Sequence, residues 1–231
     1  MGATALLIHG AWGSAASWTL VREELTRLGV RSRAIDMPTG ARSDARLGDD
    51  VAAVRAAIDG LDGPVVLVGH SWAGMTITAA SAGEPRVRAL LYICAIMPGP
   101  GESTDGLMAT DPHPSALPGI MRVDADGIAT LDRDSAREAL FNDVPAGRPI
   151  RALDALGRHP LATFAETAPE IGWREHPSVY LIGRDDRVFS ADLQGRMAEH
   201  ALRRLTLPAG HVPLLTRPLH IADQIAALAQ P

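Results

Sequence analysis

Ser71 lies in the run Gly69-His70-Ser71-Trp72-Ala73, one substitution away from Gly-x-Ser-x-Gly. A serine on a sharp strand-to-helix turn projects its Oγ into open space, and the helix N-terminus behind it favours a developing negative charge. Small residues are needed two before and two after such a serine, because the strand and helix backbones crowd there. Gly69 meets that need; Ala73 adds one methyl, and Gly74 follows it directly. A serine hydroxyl is a weak nucleophile at neutral pH, so it requires a base, and the base requires an orienting acid. Asp186 and His211 complete the chain order Ser, Asp, His. The stretch from Gly183 to Val188 fits Gly-x-x-Asp-x-Val, which selects Asp186 as the acid and leaves Asp185 as a solvated turn residue. His211 sits between small and rigid residues in Ala209-Gly210-His211-Val212-Pro213. The other histidines have plainer readings as surface or satisfied core residues: His113 and His159 beside prolines, His176 before a strand, His200 and His220 on helices. His70 is expected to point away from the nucleophile and pack under the turn.

An acyl-transfer site also needs two preset N–H donors for an oxyanion. One is the N–H of Trp72, directly after the nucleophile. The second is expected from Ala11, in the loop His9-Gly10-Ala11-Trp12, where Gly10 lets the backbone approach closely.

These residues can meet only if the elements carrying them end on one edge of a sheet. Apolar, β-branched runs predict strands at 4–8, 30–35, 65–68, 87–96, 178–182 and 203–207. Helical spacing predicts helices at 18–28, 44–58 with Asp44 as N-cap, 75–82, 193–200 and 218–228. Strands alternating with helices indicate an α/β fold, with a mostly parallel, doubly wound sheet of about six strands. Ser71, Asp186 and His211 then all follow the carboxyl ends of strands, where ligands bind in such sheets. The alternation breaks at residue 98. Five prolines make 98–118 a poor regular element, and only 135–142 and 150–157 read as short helices. The chain thus divides into a core of residues 1–97 and 171–231 and a small helical cap insertion, 98–170, over the carboxyl edge. The insertion holds 12 acidic residues and 6 arginines, read as a solvated outer face.

Composition narrows the chemistry. The 231 residues, 46% hydrophobic and 21% charged, suit one large globular domain. All 22 basic residues are arginine, so Schiff-base chemistry and a lysine proton donor are excluded. The net charge of −5 offers nothing to nucleic acid or an anionic membrane. The single cysteine, Cys94, reads as a buried strand residue and allows no intrachain disulfide. No metal-ligand spacing, dinucleotide loop or phosphate loop is present, so no cofactor and no metal are expected. No secretory signal is visible at the start, which points to a cytoplasmic protein. The expected partner is a small-molecule substrate, with the chain as monomer or homodimer.

The segments Leu7-Ile8-His9-Gly10-Ala11-Trp12, Val66 through Met75, Leu181-Ile182-Gly183 to Val188 and Ala209-Gly210-His211 to Pro218 together resemble the α/β-hydrolase superfamily. Within it the chain resembles the group of small methyl-ester esterases, hydroxynitrile lyases and bacterial salicylate-esterase-like proteins. The resemblance implies Ser71 as nucleophile, His211 as base, Asp186 as acid, and Ala11 and Trp72 N–H groups as oxyanion hole. It also implies an esterase rather than a lyase. The lyases of this group carry threonine where Gly10 stands and lysine where Val212 follows His211. The reading is a serine hydrolase of a small carboxylic ester. Thioester, lactone or carbon–carbon bond hydrolysis, and ligand binding without turnover, are the alternatives that the same fold allows. Trp12, Trp72, Met97, Met108 and Phe141 are candidates for an apolar pocket.

Overall fold

The expected strands form because their apolar runs can be buried on both faces. In the computed structural model, which describes residues 2–145 and 151–230, every residue of β1 (Thr4–Ile8) is buried. It is followed by α1 (Thr19–Arg27), β2 (Ser32–Ile35), α2 (Pro38–Ala41), α3 (Leu47–Asp59), β3 (Val65–His70), α4 (Ala73–Ser81) and β4 (Val87–Ile93). Then come α5 (Thr104–Ala109), α6 (Leu117–Ile120), β5 (Met121–Val123), β6 (Ile128–Leu131), α7 (Arg133–Leu140), α8 (Arg151–Asp154) and β7 (His159–Pro160). The chain closes with β8 (Ser178–Gly183), α9 (Ala191–Met197), β9 (Arg203–Leu207), α10 (Pro213–Thr216) and α11 (Pro218–Ala229).

Six strands form one sheet in the order β2-β1-β3-β4-β8-β9, and every neighbouring pair is parallel. α1 packs against α11 and α3 against α4, while α9 packs on β8. The chain runs outward from β1 to β2, then returns past β1 to β3, so the strand order reverses between β1 and β3. Ligands bind at such a reversal. Register aligns the ends: Ile8 pairs with Gly69, His70 with Ile93, Ile93 with Leu181 and Gly183 with Leu207. The loops after β1, β3, β8 and β9 therefore leave the sheet along one edge. α4 is buried at all nine positions, which its Ala, Gly, Ser and Thr content permits. Gly172 shows how tightly the returning chain packs there, since a Cβ on it would stand 2.1 Å from Ser81 Oγ.

The segment between β4 and β8 holds more than short helices. β5, β6 and β7 form a three-stranded antiparallel sheet, α5 lies within the proline-rich stretch read as irregular, and α6 begins at its end. With strands of only two to four residues, no alternation is long enough to be read. The expected helix at 135–142 is α7, whose N-cap is Asp132 through a bond from Ser135 N–H at 3.1 Å. Of the helix expected at 150–157, residue 150 lies outside the described residues and α8 covers part of the remainder. Asp44 does not cap α3. It is exposed and paired with Arg42, while Glu166 Oε2 accepts the Leu47 N–H at 2.8 Å across 119 residues of chain. Among the described residues, no helix is long and apolar enough to cross a membrane.

Candidate active site

β3 ends in a turn that holds Ser71 at φ +57°. A left-handed conformation costs a residue with a Cβ about 1–3 kcal/mol, so the surroundings must impose it. They do so through the backbone: Ser71 N–H donates to Ile93 C=O at 3.2 Å, and Ser71 C=O accepts from Gly74 and Ile96 N–H at 3.1 Å each. The crowding expected at the turn is real, but its position is shifted. A Cβ on Gly69 would stand 3.0 Å from Ala73 O. A Cβ on Gly74 would stand 1.8 Å from Ile96 O, so glycine is required there. Residue 73 is not the tightest point, which is why Ala73 fits.

The structure brings Ser71, His211 and Asp186 together. His211 Nε2 lies 2.9 Å from Ser71 Oγ, and His211 Nδ1 lies 2.8 Å from Asp186 Oδ2. The Asp186 side chain is 0% exposed, against 45% for Asp185, which lies beside Arg184. Hydrogen bonds from that guanidinium hold the Asp185 carboxyl below the usual carboxylate range. Asp186 accepts three further bonds: Val188 N–H at 2.7 Å and Phe189 N–H at 3.1 Å on Oδ1, and Gln194 Nε2–H at 3.0 Å on Oδ2. These donors fix the direction of the buried carboxyl group.

Gln194 was not among the sequence candidates. It is fully buried, accepts Gly183 N–H at 3.0 Å and donates to Phe189 C=O at 2.7 Å. It therefore ties the end of β8 to α9 and to Asp186. A polar residue on the inward side of an otherwise ordinary helix was the only available signal.

The loop after β1 meets the turn after β3 closely. A Cβ on Gly10 would stand 2.7 Å from Ser71 Cβ, as the expected close approach requires. Ala11 and Trp72 line one cavity with Ser71 and His211. Trp12, at φ +60°, is held by residues of the 98–170 segment: its Nε1–H donates to Ala129 C=O at 2.9 Å, and its own C=O accepts Gly157 N–H at 2.8 Å. His9 is buried beneath the loop, with Nδ1 2.8 Å from Gly10 O and Nε2 accepting Met37 N–H at 3.0 Å. That fixes its proton on Nδ1 and makes it a brace for the loop. Burial lowers its proton affinity.

His70 departs from expectation. It lines the cavity instead of pointing away, its ring centroid lies 5.2 Å from that of His211, and its Nε2–H donates to His211 C=O at 2.8 Å. Burial first, and the neighbouring His211 second, push it down to about 3. A neutral ring here braces His211 without opposing a positive charge on it. His159 is a buried core histidine within the aromatic cluster behind the cavity, 4.8 Å from the Trp72 ring and 5.9 Å from that of Trp12. Its Nε2–H donates to Thr163 Oγ1 at 2.8 Å, and burial pushes it down to about 3.

Of the five pocket candidates, Trp12 and Trp72 line the cavity; Met97 and Phe141 are buried in the core, and Met108 packs against it. Leu117, Leu140, Phe164, Val188 and Phe189 complete the apolar wall, and the cavity encloses about 30 Å³. Cys94 is buried just past β4 at φ +44°, and desolvation raises its thiol pKa. Among the described residues, no group of three or more His, Cys, Asp or Glu side chains could hold a metal ion.

Residues 5–223 match the alpha/beta hydrolase family. The chain belongs to that family. It is 32% identical to an alpha/beta hydrolase, nvfD, of Aspergillus novofumigatus over 92% of this chain and 91% of the relative. It is 24% identical to Methylesterase 2 of Arabidopsis thaliana over 97% of this chain and 95% of that one. The crystal structure of a pyrethroid hydrolase from Sphingobium faniae JZ-2 superposes with a TM-score of 0.86 at 24% identity, covering 98% of this chain and 97% of that one. At that identity the superposition speaks for the hydrolase fold. Within that family the chain is similar to methylesterases.

Proposed function

We propose that this α/β-hydrolase cleaves a small carboxylic ester through an acyl-enzyme on Ser71. The observation that carries the reading is the pair of contacts at 2.9 and 2.8 Å linking Ser71, His211 and Asp186, all buried, with Ser71 and His211 bordering one cavity at the strand reversal. Ser71 Oγ attacks the carbonyl carbon while His211 Nε2 takes its proton. The carbonyl π electrons move to oxygen, where the Ala11 and Trp72 N–H groups receive the charge. Collapse of the tetrahedral adduct breaks the ester C–O bond, and His211 gives its proton to the leaving alcohol. A water molecule, deprotonated by His211, then attacks the acyl-enzyme, and the acid departs as Ser71 regains the proton. Asp186 keeps the His211 proton on Nδ1 and steadies the imidazolium.

A methylesterase among the relatives supports an ester as the substrate. The cavity of about 30 Å³ has room for little more than a water-sized group, so an ester enters when wall side chains move apart. Residues 98–170 supply several of those side chains and act in this reading as a cap over a core of residues 1–97 and 171–231.

The test combines covalent labelling with turnover. Ser71 should be labelled by a fluorophosphonate, and a p-nitrophenyl ester should be hydrolysed with a burst. Ser71→Ala should abolish labelling and lower kcat by about 10⁴- to 10⁶-fold. Near-wild-type turnover by that variant would end the mechanism. A wild type that binds esters but is neither labelled nor active would instead be a binding protein.

A further inference from the structure

The residues on either side of Asp186 are held by the segment between β4 and β8. Ahead of it, the Asp185 C=O accepts Asn142 Nδ2–H at 2.9 Å. Behind it, Arg187 Nη1–H donates to Glu138 C=O at 3.0 Å, and the Arg187 C=O accepts Ala116 N–H at 2.9 Å. Asn142 also reaches the loop that carries His211. A Cβ on Gly210 would stand 2.3 Å from Asn142 Oδ1 and 3.0 Å from Asp143 Oδ1, so the bare Cα leaves room for that amide. The amide has one permitted direction: the Asp185 carbonyl offers no proton, so Nδ2 must face it and Oδ1 falls on Gly210. Asp143 fastens the same turn to α10, where its Oδ2 accepts Thr216 Oγ1–H at 2.7 Å. One short side chain thus touches the residue before the acid and the residue before the base. Those two loops follow β8 and β9, and they meet directly through Asp185 N–H and Ala209 C=O at 3.0 Å. Asn142 adds a contact on each of them. Leu140, on the cavity wall, ends α7 two residues earlier, so wall and clamp share one turn of chain.

We propose that Asn142 is a positioning residue for the triad. Its amide sets the spacing of the acid loop and the base loop through Asp185 and Gly210, without touching the reacting atoms. This assignment rests on the esterase reading and deepens it at the same site. The His211 Nδ1 contact with Asp186 Oδ2 at 2.8 Å joins those two loops, and it holds only while they keep their spacing. Proton transfer from Ser71 depends on that contact, and a misplacement of about 1 Å costs about 10²-fold in rate.

The experiment compares wild type with two variants on a p-nitrophenyl ester. Asn142→Leu keeps the size of the side chain and removes the N–H donor; Gly210→Ala drives a methyl group against the amide from the other side. Endpoint labelling of Ser71 by a fluorophosphonate counts the working sites, and a thermal melt establishes that each variant is folded. Both variants should lose about tenfold or more in kcat per working site, with KM within about twofold of wild type. In an Asp186→Asn background, Asn142→Leu should cost about twofold or less, because a residue that acts through the acid then has nothing left to place. Three results would overturn the role of Asn142: wild-type kcat per site in Asn142→Leu, fewer labelled sites that each turn over at the wild-type rate, or the same loss with and without Asp186. If wild type is neither labelled at Ser71 nor active on the ester, the esterase reading itself fails and takes this assignment with it.

Discussion

Substituting Gly10 by alanine tests whether the loop after β1 and the turn after β3 form one working unit. The added Cβ would stand 2.7 Å from Ser71 Cβ, 3.1 Å from His70 O and 3.3 Å from His70 Nδ1. Carbon atoms pack comfortably at about 3.5–4.0 Å, so the Gly10–Ser71 pair must separate by about 1 Å. None of the three obstacles is the free end of a flexible side chain. Ser71 is pinned by bonds of 3.2 Å to Ile93 and 3.1 Å to Gly74 and Ile96, and the His70 ring is tied to the His211 carbonyl at 2.8 Å. The strain therefore displaces either Ser71 Oγ from His211 or the Ala11 N–H from the oxyanion position. A misplacement of about 1 Å costs about 10²-fold in rate. Overpacking of this kind costs about 1–3 kcal/mol, or a Tm drop of about 2–12 °C for a chain of this size. Steady-state hydrolysis of a p-nitrophenyl ester and a thermal melt read both quantities. Gly40→Ala is the control, because its nearest obstacle, His9 Cε1, is at an ordinary 3.8 Å. It should stay within about twofold of wild type, as substitutions without such strain do. A Gly10→Ala protein with wild-type kcat and Tm would refute both the close approach and the placement of the second oxyanion donor.

Asp186→Asn should lower kcat by about 10⁴-fold, the scale for a buried acid whose loss permits the wrong histidine tautomer. Asp185→Asn, on an exposed pair with Arg184, should change it about twofold or less; the reverse order would move the acid to Asp185. Gln194→Leu leaves Gly183 N–H and Phe189 C=O buried and unpaired at about 1–3 kcal/mol each, so Tm should fall by several degrees, and kcat should drop more than KM rises. Unchanged kcat in that variant would make Gln194 merely structural. His70 and His159, pushed down from 6.5 to about 3 by burial, bind fewer protons folded than unfolded in that range. Their neutral-state contribution is therefore complete above pH 6.5 and is lost as pH falls towards 3, at about 1.4 kcal/mol per pH unit for each ring. Urea unfolding at pH 7 and pH 5 should show this loss, with a shallower decline in His159→Gln; an unaltered slope would mean that His159 does not titrate on unfolding.

The residues with chemistry were legible because their signals are local. Ser71 sits between a buried apolar run and a small-residue helix, and Asp186 and His211 each follow such a run, so strand polarity alone brings all three to one edge. The approach of Gly10 to Ser71 was legible for the same reason, since both follow strands that pair in register. Other features depended on which side of the turn a ring takes. His70 was expected beneath the turn, yet its ring swings to the His211 carbonyl, a partner 141 residues away.

By itself, then, the sequence determined the parallel α/β sheet, the edge carrying Ser71, Asp186 and His211, and the glycine that lets the loop after β1 approach Ser71. Each follows from short-range periodicity and backbone sterics. Only the tertiary structure decided that Gly74 rather than residue 73 is the tight point, that Gln194 supports Asp186, and that Glu166 caps α3. It alone showed a small antiparallel sheet between β4 and β8. These are contacts between segments far apart in the chain, made by strands of two to four residues and single polar side chains that leave no periodic trace. Packing selects them, and packing is a property of the whole fold.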